Sequence, residues 1–218
     1  MAKKSLSDLY SYSLFIFDLD NTIYNEEDYL LQAYRAIAEE FERIVPSKGK
    51  NKLFSILRDL YMEQGREKLF DKFLDAIDLD RSYIPKCLTI LRSFEPAKTN
   101  EIDKTIKKVL SDLINQDKSV FVLTNGNVDQ QKTKIKYIDW TGLDESIHFV
   151  FANEFEPKPS PAGVEYILKI SGIPKNETIM IGDSETDSMC ARNSGIAFLR
   201  VQDLTKNIIK IILPVAFL

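Results

Sequence analysis

Five short apolar runs, 14–17, 120–123, 148–152, 178–181 and 197–201, mark this chain as a string of buried strands. After the first, stretches with helical spacing lie between them, near 127–138, 160–171 and 185–194, and a further one near 100–116 leads into the second run. Strands apolar on both faces need cover on both faces, and parallel neighbours need a long crossover, normally a helix. The pattern therefore predicts an α/β fold, a parallel sheet with helices on both sides. Punctuation agrees: Ser160-Pro161 reads as a helix start and Gly195 as a helix end. In such a sheet the ligand edge is the carboxyl end of the strands.

The stretch 24–94 breaks the rhythm. It holds no convincing strand, and 26–45, 50–63, 66–78 and 83–92 read as helices, with Leu30, Ala33, Tyr34, Ile37 and Phe41 at helical spacing. We expect a core of 1–23 and 95–218 and a helical insertion of 24–94, hinged at Tyr24-Asn25 and at Phe94 to Pro96. At 218 residues, 44% of them hydrophobic, the chain can fill a core and such an insertion. An insertion after a strand's carboxyl end can act as a lid. Tyr34, Phe41, Phe70 and Phe73 are expected inside it as packing.

Net charge is −4 with no basic block, which argues against a nucleic-acid partner. Lys107-Lys108 and Lys132, Lys134 and Lys136 are expected on solvated helix faces. Cys87 and Cys190 make neither a disulfide framework nor a zinc pattern, so a reduced, cytoplasmic protein is the expectation. Met1–Asp8 shows no signal peptide. The apolar tail from Ile208 to Leu218 is shorter than the roughly 20 residues of a membrane span. It is expected to pack on the core or to make an oligomer contact; no membrane role and no oligomeric state follow. His148, the single histidine, begins an apolar strand and is expected to be structural. Cys190 is expected to be buried and inert.

Chemistry gathers just past the strands. Asp18-Leu19-Asp20-Asn21-Thr22 follows the first run and places two carboxylates two residues apart. A carboxylate can attack phosphorus once a metal ion neutralises the approaching charge, and a second acid can carry the proton. Thr22 can hydrogen-bond within the turn. An EF-hand is excluded, because Ile23 stands where glycine is needed and Tyr29 where glutamate is. Thr124, Asn125 and Gly126 end the second run, where a hydroxyl and backbone amides can grip phosphoryl oxygens. Lys158, between Pro157 and Pro159, offers an ammonium on a stiff backbone. Asp183 and Asp187 follow the fourth run. Asp183 suits a magnesium ion; Asp187 can touch the metal or close a capping box with Ser184. In the insertion, Arg66 is a candidate for a phosphate or carboxylate contact, and Tyr24 a candidate for the mouth of the site.

With these segments in order, the chain resembles a haloacid-dehalogenase-superfamily hydrolase with a helical cap after the first motif. The resemblance covers nearly the whole chain and rests on Asp18 to Thr22, Thr124-Asn125-Gly126, Lys158-Pro159 and Gly182 to Asp187. It implies a Rossmann-like core and a Mg2+-dependent phosphatase working on a small phosphomonoester, of the sugar-phosphate or nucleotide class, through an aspartyl phosphate. By position it makes Asp18 the nucleophile and a metal ligand. Asp20 becomes the acid/base, lending its carbonyl to the metal. Thr124 and Asn125 become the phosphate motif, Lys158 the charge neutraliser, and Asp183 the further ligand, with Asp187 as the second acid of the last motif. True dehalogenases lack the second acid of the first motif and phosphonate-cleaving members replace it with a small residue, so Asp20 argues for phosphate esters. A phosphoglucomutase-like mutase, or a non-catalytic binding protein on the same fold, are the alternatives.

Overall fold

Strand β1, Leu14–Phe17, is wholly buried and runs down the middle of a five-stranded sheet. The structure is a computed structural model that describes residues 9–212, with side chains as far as Lys206. The flanking strands are β2 (Ser119–Thr124), β3 (Ile147–Phe151), β4 (Thr178–Gly182) and β5 (Ala197–Arg200), in the order β3-β2-β1-β4-β5, all parallel. Each lies within two residues of its expected run. Met1–Asp8 and the side chains of the apolar tail lie outside the described residues. Among the described residues no helix is long and apolar enough to cross a membrane.

Alternation along the strands divides the core. Leu14, Ile16, Phe121, Leu123, Val150 and Met180 share one cluster with Val164 and Ile167 of one helix and Cys190 and Ala191 of another. These two helices are Ala162–Ser171 and Glu185–Ser194. The first begins one position later than expected, because Ser160 Oγ accepts from the Ala162 amide and Pro161 sits at the cap. Gly195 ends the second as expected, at φ 71°. Burial pushes the Cys190 thiol up to about 11 and the Cys87 thiol up to about 12, so neither offers a thiolate. His148 is exposed on the edge strand β3 and stacks on Phe121 at 4.8 Å.

Register places the chemistry. Phe17 pairs with Val122 on one side and Ile181 on the other. Asp18, Thr124 and Asp183 therefore leave three adjacent strands within one residue of a common edge. The chain turns from one side of β1 to the other at this point, the place where open α/β sheets bind ligands.

The chain divides into two compact units. One takes Met1–Asn25, Glu101–Gln131 and Ile138–Leu218, the other Glu26–Asn100 with Lys132–Tyr137. In the second unit the helices are α1 (Glu26–Glu42), α2 (Lys50–Gln64), α3 (Leu69–Ala76) and α4 (Ile84–Ser93). Phe41 and Phe73 are fully buried and meet edge to face at 5.4 Å, worth about 0.5–1.5 kcal/mol beyond their burial. Tyr34 meets Tyr61 and Phe70 in the same way.

The unit boundaries differ from the expected ones at 24–25, at 95–100 and at 132–137, and one side chain ties the last of these segments to the helical unit. Lys134 is not on a solvated face: it is 1% exposed, its ammonium lies 2.7 Å from Glu26 Oε1, and it sits 5.2 Å from the Tyr29 ring centroid. A buried ammonium is costly unless paired in this way. Lys132 and Lys136 are exposed, as expected.

Candidate active site

The first motif is a tight turn. The Ile23 amide donates to the Leu19 carbonyl at 3.0 Å, and Asn21 takes a left-handed φ of 59°, which asparagine tolerates better than most residues. Thr22 enters the turn through its amide, bonded to Leu19 at 3.4 Å. Its hydroxyl, expected to bond there too, is buried with no partner in the structure. The turn leaves Asp18 on the strand end, buried, and sets Asp20 beside it, half-buried.

Lys158 is the hub. Its ammonium lies 2.5 Å from Asp18 Oδ1, 2.7 Å from Asp187 Oδ1 and 3.0 Å from the Leu123 carbonyl. Three acceptors satisfy its three N–H donors. Burial opposes its charge, but Asp18 and Asp187 outweigh that and hold its pKa above the usual lysine value. The Asp18 carboxyl is held up at about 7: burial raises it most, Lys158 lowers it, and Asp187 and Asp20 raise it. Asp183 is raised too, by burial first and then by Asp187.

Asp187 has both oxygens engaged. Oδ1 takes Lys158, and Oδ2 accepts from the Ser184 amide and hydroxyl, while the Asp187 amide donates back to Ser184 Oγ. Ser184 and Asp187 thus form the capping box of their helix. Gly182 makes room for it. A Cβ there would lie 2.6 Å from Asp187 Oδ2 and 2.7 Å from its Cβ, so any other residue would push Asp187 off Lys158.

Asn125 and Gly126 are expected to grip a phosphoryl group, yet their groups are already engaged. Asn125 donates from Nδ2 to the Lys158 carbonyl and accepts from the Lys158 amide, both at 2.9 Å. The Gly126 amide donates to Asn153 Oδ1 at 2.8 Å. Asn125 is therefore the strut that holds the Lys158 loop. Tyr24 is 2% exposed, and its hydroxyl donates to Asp20 Oδ1 at 2.7 Å. Arg66 pairs with Glu26 at 2.9 Å inside the helical unit, its side chain half exposed. Sequence reasoning missed Gln131, which is buried and donates from Nε2 to Asp20 Oδ2 and to Thr124 Oγ1. The available signal was a helix after the second motif too poor in apolar residues to bury anything but polar ones.

Carboxylate oxygens of Asp18, Asp183 and Asp187 lie within 4.8 Å of one another. An all-oxygen set of this kind fits a Mg2+ ion, which takes one or two carboxylates and completes its shell with water and phosphate oxygens. The raised carboxyls make the fit testable. Without a cation, Asp18 keeps its proton in the folded state up to about pH 7, whereas unfolded aspartate loses it near 4. Stability linked to Asp18 is therefore present at low pH and is lost as pH rises through about 7. A cation displaces that proton, so added Mg2+ should raise the melting temperature more at pH 8 than at pH 5.5. Equal shifts at the two values would speak against binding at these carboxylates.

A phosphatase-like hydrolase is the class this parallel core and its acid-lined edge define. The sequence model for haloacid dehalogenase-like hydrolases matches residues 15–201, and the chain belongs to that family. Pyrophosphatase PpaX of Halalkalibacterium halodurans is 24% identical over 184 residues, which span 83% of this chain and 79% of that protein. The phosphoglycolate phosphatase of Pseudomonas syringae pv. tomato is 22% identical, over 84% of this chain and 67% of its own. Among solved structures, a proposed phosphoglycolate phosphatase from Lactobacillus delbrueckii subsp. bulgaricus superposes with a TM-score of 0.60 at 17% identity, covering 90% of this chain and 92% of that one.

Proposed function

We propose that the protein is a Mg2+-dependent phosphatase that hydrolyses a small phosphomonoester, of the sugar-phosphate or nucleotide class, through an aspartyl phosphate on Asp18. The observation that carries this reading is the buried Asp18–Lys158–Asp187 triad beside Asp20. Asp18 is a carboxylate held in place by an ammonium, at a strand end where a substrate can approach.

Asp18 attacks phosphorus; as the ester P–O bond breaks, its electron pair leaves on the alcohol oxygen, which takes a proton from Asp20. Water then attacks the aspartyl phosphate, giving its proton to Asp20, and Asp18 is regenerated as phosphate departs. Lys158 offsets the charge on Asp18 and on the transferring group. Thr124 presents a hydroxyl to the phosphoryl oxygens. Asp18, Asp183 and the Asp20 carbonyl would hold Mg2+, with Asp187 in support. The ion, when bound, neutralises the negative charge that would otherwise repel nucleophile from phosphate. The curated relatives are named for a pyrophosphatase and a phosphoglycolate phosphatase, which favours small phosphorylated metabolites as substrates.

A panel of sugar phosphates, nucleotides and p-nitrophenyl phosphate, assayed with Mg2+ and again with chelator, tests this. Phosphate release that needs the cation is expected. No release from any ester, or release indifferent to chelation, would overturn the proposal.

A further inference from the structure

Asp20 can serve as proton carrier only if its carboxyl is aimed and held, and two side chains do this from opposite sides. The Tyr24 hydroxyl donates to Oδ1 at 2.7 Å and the Gln131 amide to Oδ2 at 3.0 Å. Gln131 Nε2 also donates to Thr124 Oγ1. The amide is buried, 2% exposed, and its two N–H groups match the two acceptors. The ionised carboxylate beside it can only accept, which matches the N–H end of the amide facing Asp20.

We propose that Gln131 is a positioning residue for the proton transfer: one amide ties the proton carrier, Asp20, to the phosphate-gripping hydroxyl, Thr124. This rests on the phosphatase reading above. Because both groups hang from one planar amide, the span between proton donor and phosphoryl grip is set before substrate arrives. An amide N–H only donates, so Oδ2 stays an acceptor throughout the cycle. Oδ1 shares the Tyr24 hydroxyl, which can donate or accept, and is the oxygen left to carry the proton.

The prediction is selective. A proton matters most when the leaving oxygen is basic, so phenyl phosphate needs Asp20 far more than p-nitrophenyl phosphate does. In Gln131→Met, which keeps size and removes both donors, kcat/KM for phenyl phosphate should fall by about 10²-fold. For p-nitrophenyl phosphate it should fall by less than about 10-fold, at an unchanged melting temperature. Equal falls for the two esters, or none, overturn the proposal. Should Gln131→Met not fold, Gln131→Asn carries the same comparison, since it keeps a buried amide one methylene too short to reach. If neither folds, Gln131 is a packing residue and the proposal fails. Wild-type protein inactive on both esters would instead sink the phosphatase reading itself.

Discussion

Asp18→Asn should abolish turnover, lowering phosphate release by at least about 10³-fold, because an amide oxygen cannot replace a carboxylate as nucleophile. The substitution is nearly isosteric, and Lys158 keeps two of its acceptors, Asp187 and the Leu123 carbonyl. The fold should therefore survive, which separates lost chemistry from lost structure. A second measurement reads the intermediate. Wild-type protein quenched in acid during turnover of a radiolabelled ester should retain label that hydroxylamine removes, and the variant should retain none. Full activity in Asp18→Asn would end the aspartyl-phosphate reading.

Lys158→Met should have the largest effect on stability. It leaves Asp18 and Asp187 buried and facing each other with no counter-charge, and breaking a buried ion pair from one side costs about 3–5 kcal/mol. The cost has a pH signature. Lys158 pulls the Asp18 carboxyl down, so its removal lets Asp18 hold a proton to higher pH. The loss should then be greatest above pH 7, where Asp18 ionises in the wild-type protein, and should shrink near pH 5, where Asp18 is neutral. Urea denaturation at pH 8 and pH 5.5 measures both. A loss independent of pH would mean that packing, not charge, is what Lys158 contributes. Activity should fall with it, since Lys158 would no longer offset the charge on Asp18 and on the transferring phosphoryl group.

Why some residues were legible and others were not follows from where their partners sit. The strands could be read because apolar runs of four or five residues are local, and Asp18 and Asp183 could be read because each lies within two residues of the end of such a run. Ser184 and Asp187 are three apart, so their capping box is written in the sequence. Lys134 was misplaced because its partner, Glu26, lies 108 residues away. Spacing alone puts it off the face shared by Lys132 and Lys136, but only the carboxylate explains an ammonium turned inward. Asn125 reads as a ligand group next to Thr124; the Lys158 backbone that engages it arrives 33 residues later. Gln131 shows the same limit, since its acceptor Asp20 is 111 residues away.

The sequence by itself determined the parallel α/β core, the helical insertion and the collection of acids, threonine and lysine at one sheet edge. Those depend on periodicity and on residues adjacent in the chain, which burial and backbone geometry translate directly into place. Only the tertiary structure decided which donor serves which carboxylate: Lys158 between Asp18 and Asp187, Gln131 and Tyr24 on Asp20, Asn125 on the Lys158 loop. Hydrogen bonds act over about 3 Å, and that proximity is created by strand register and turn geometry rather than by distance along the chain.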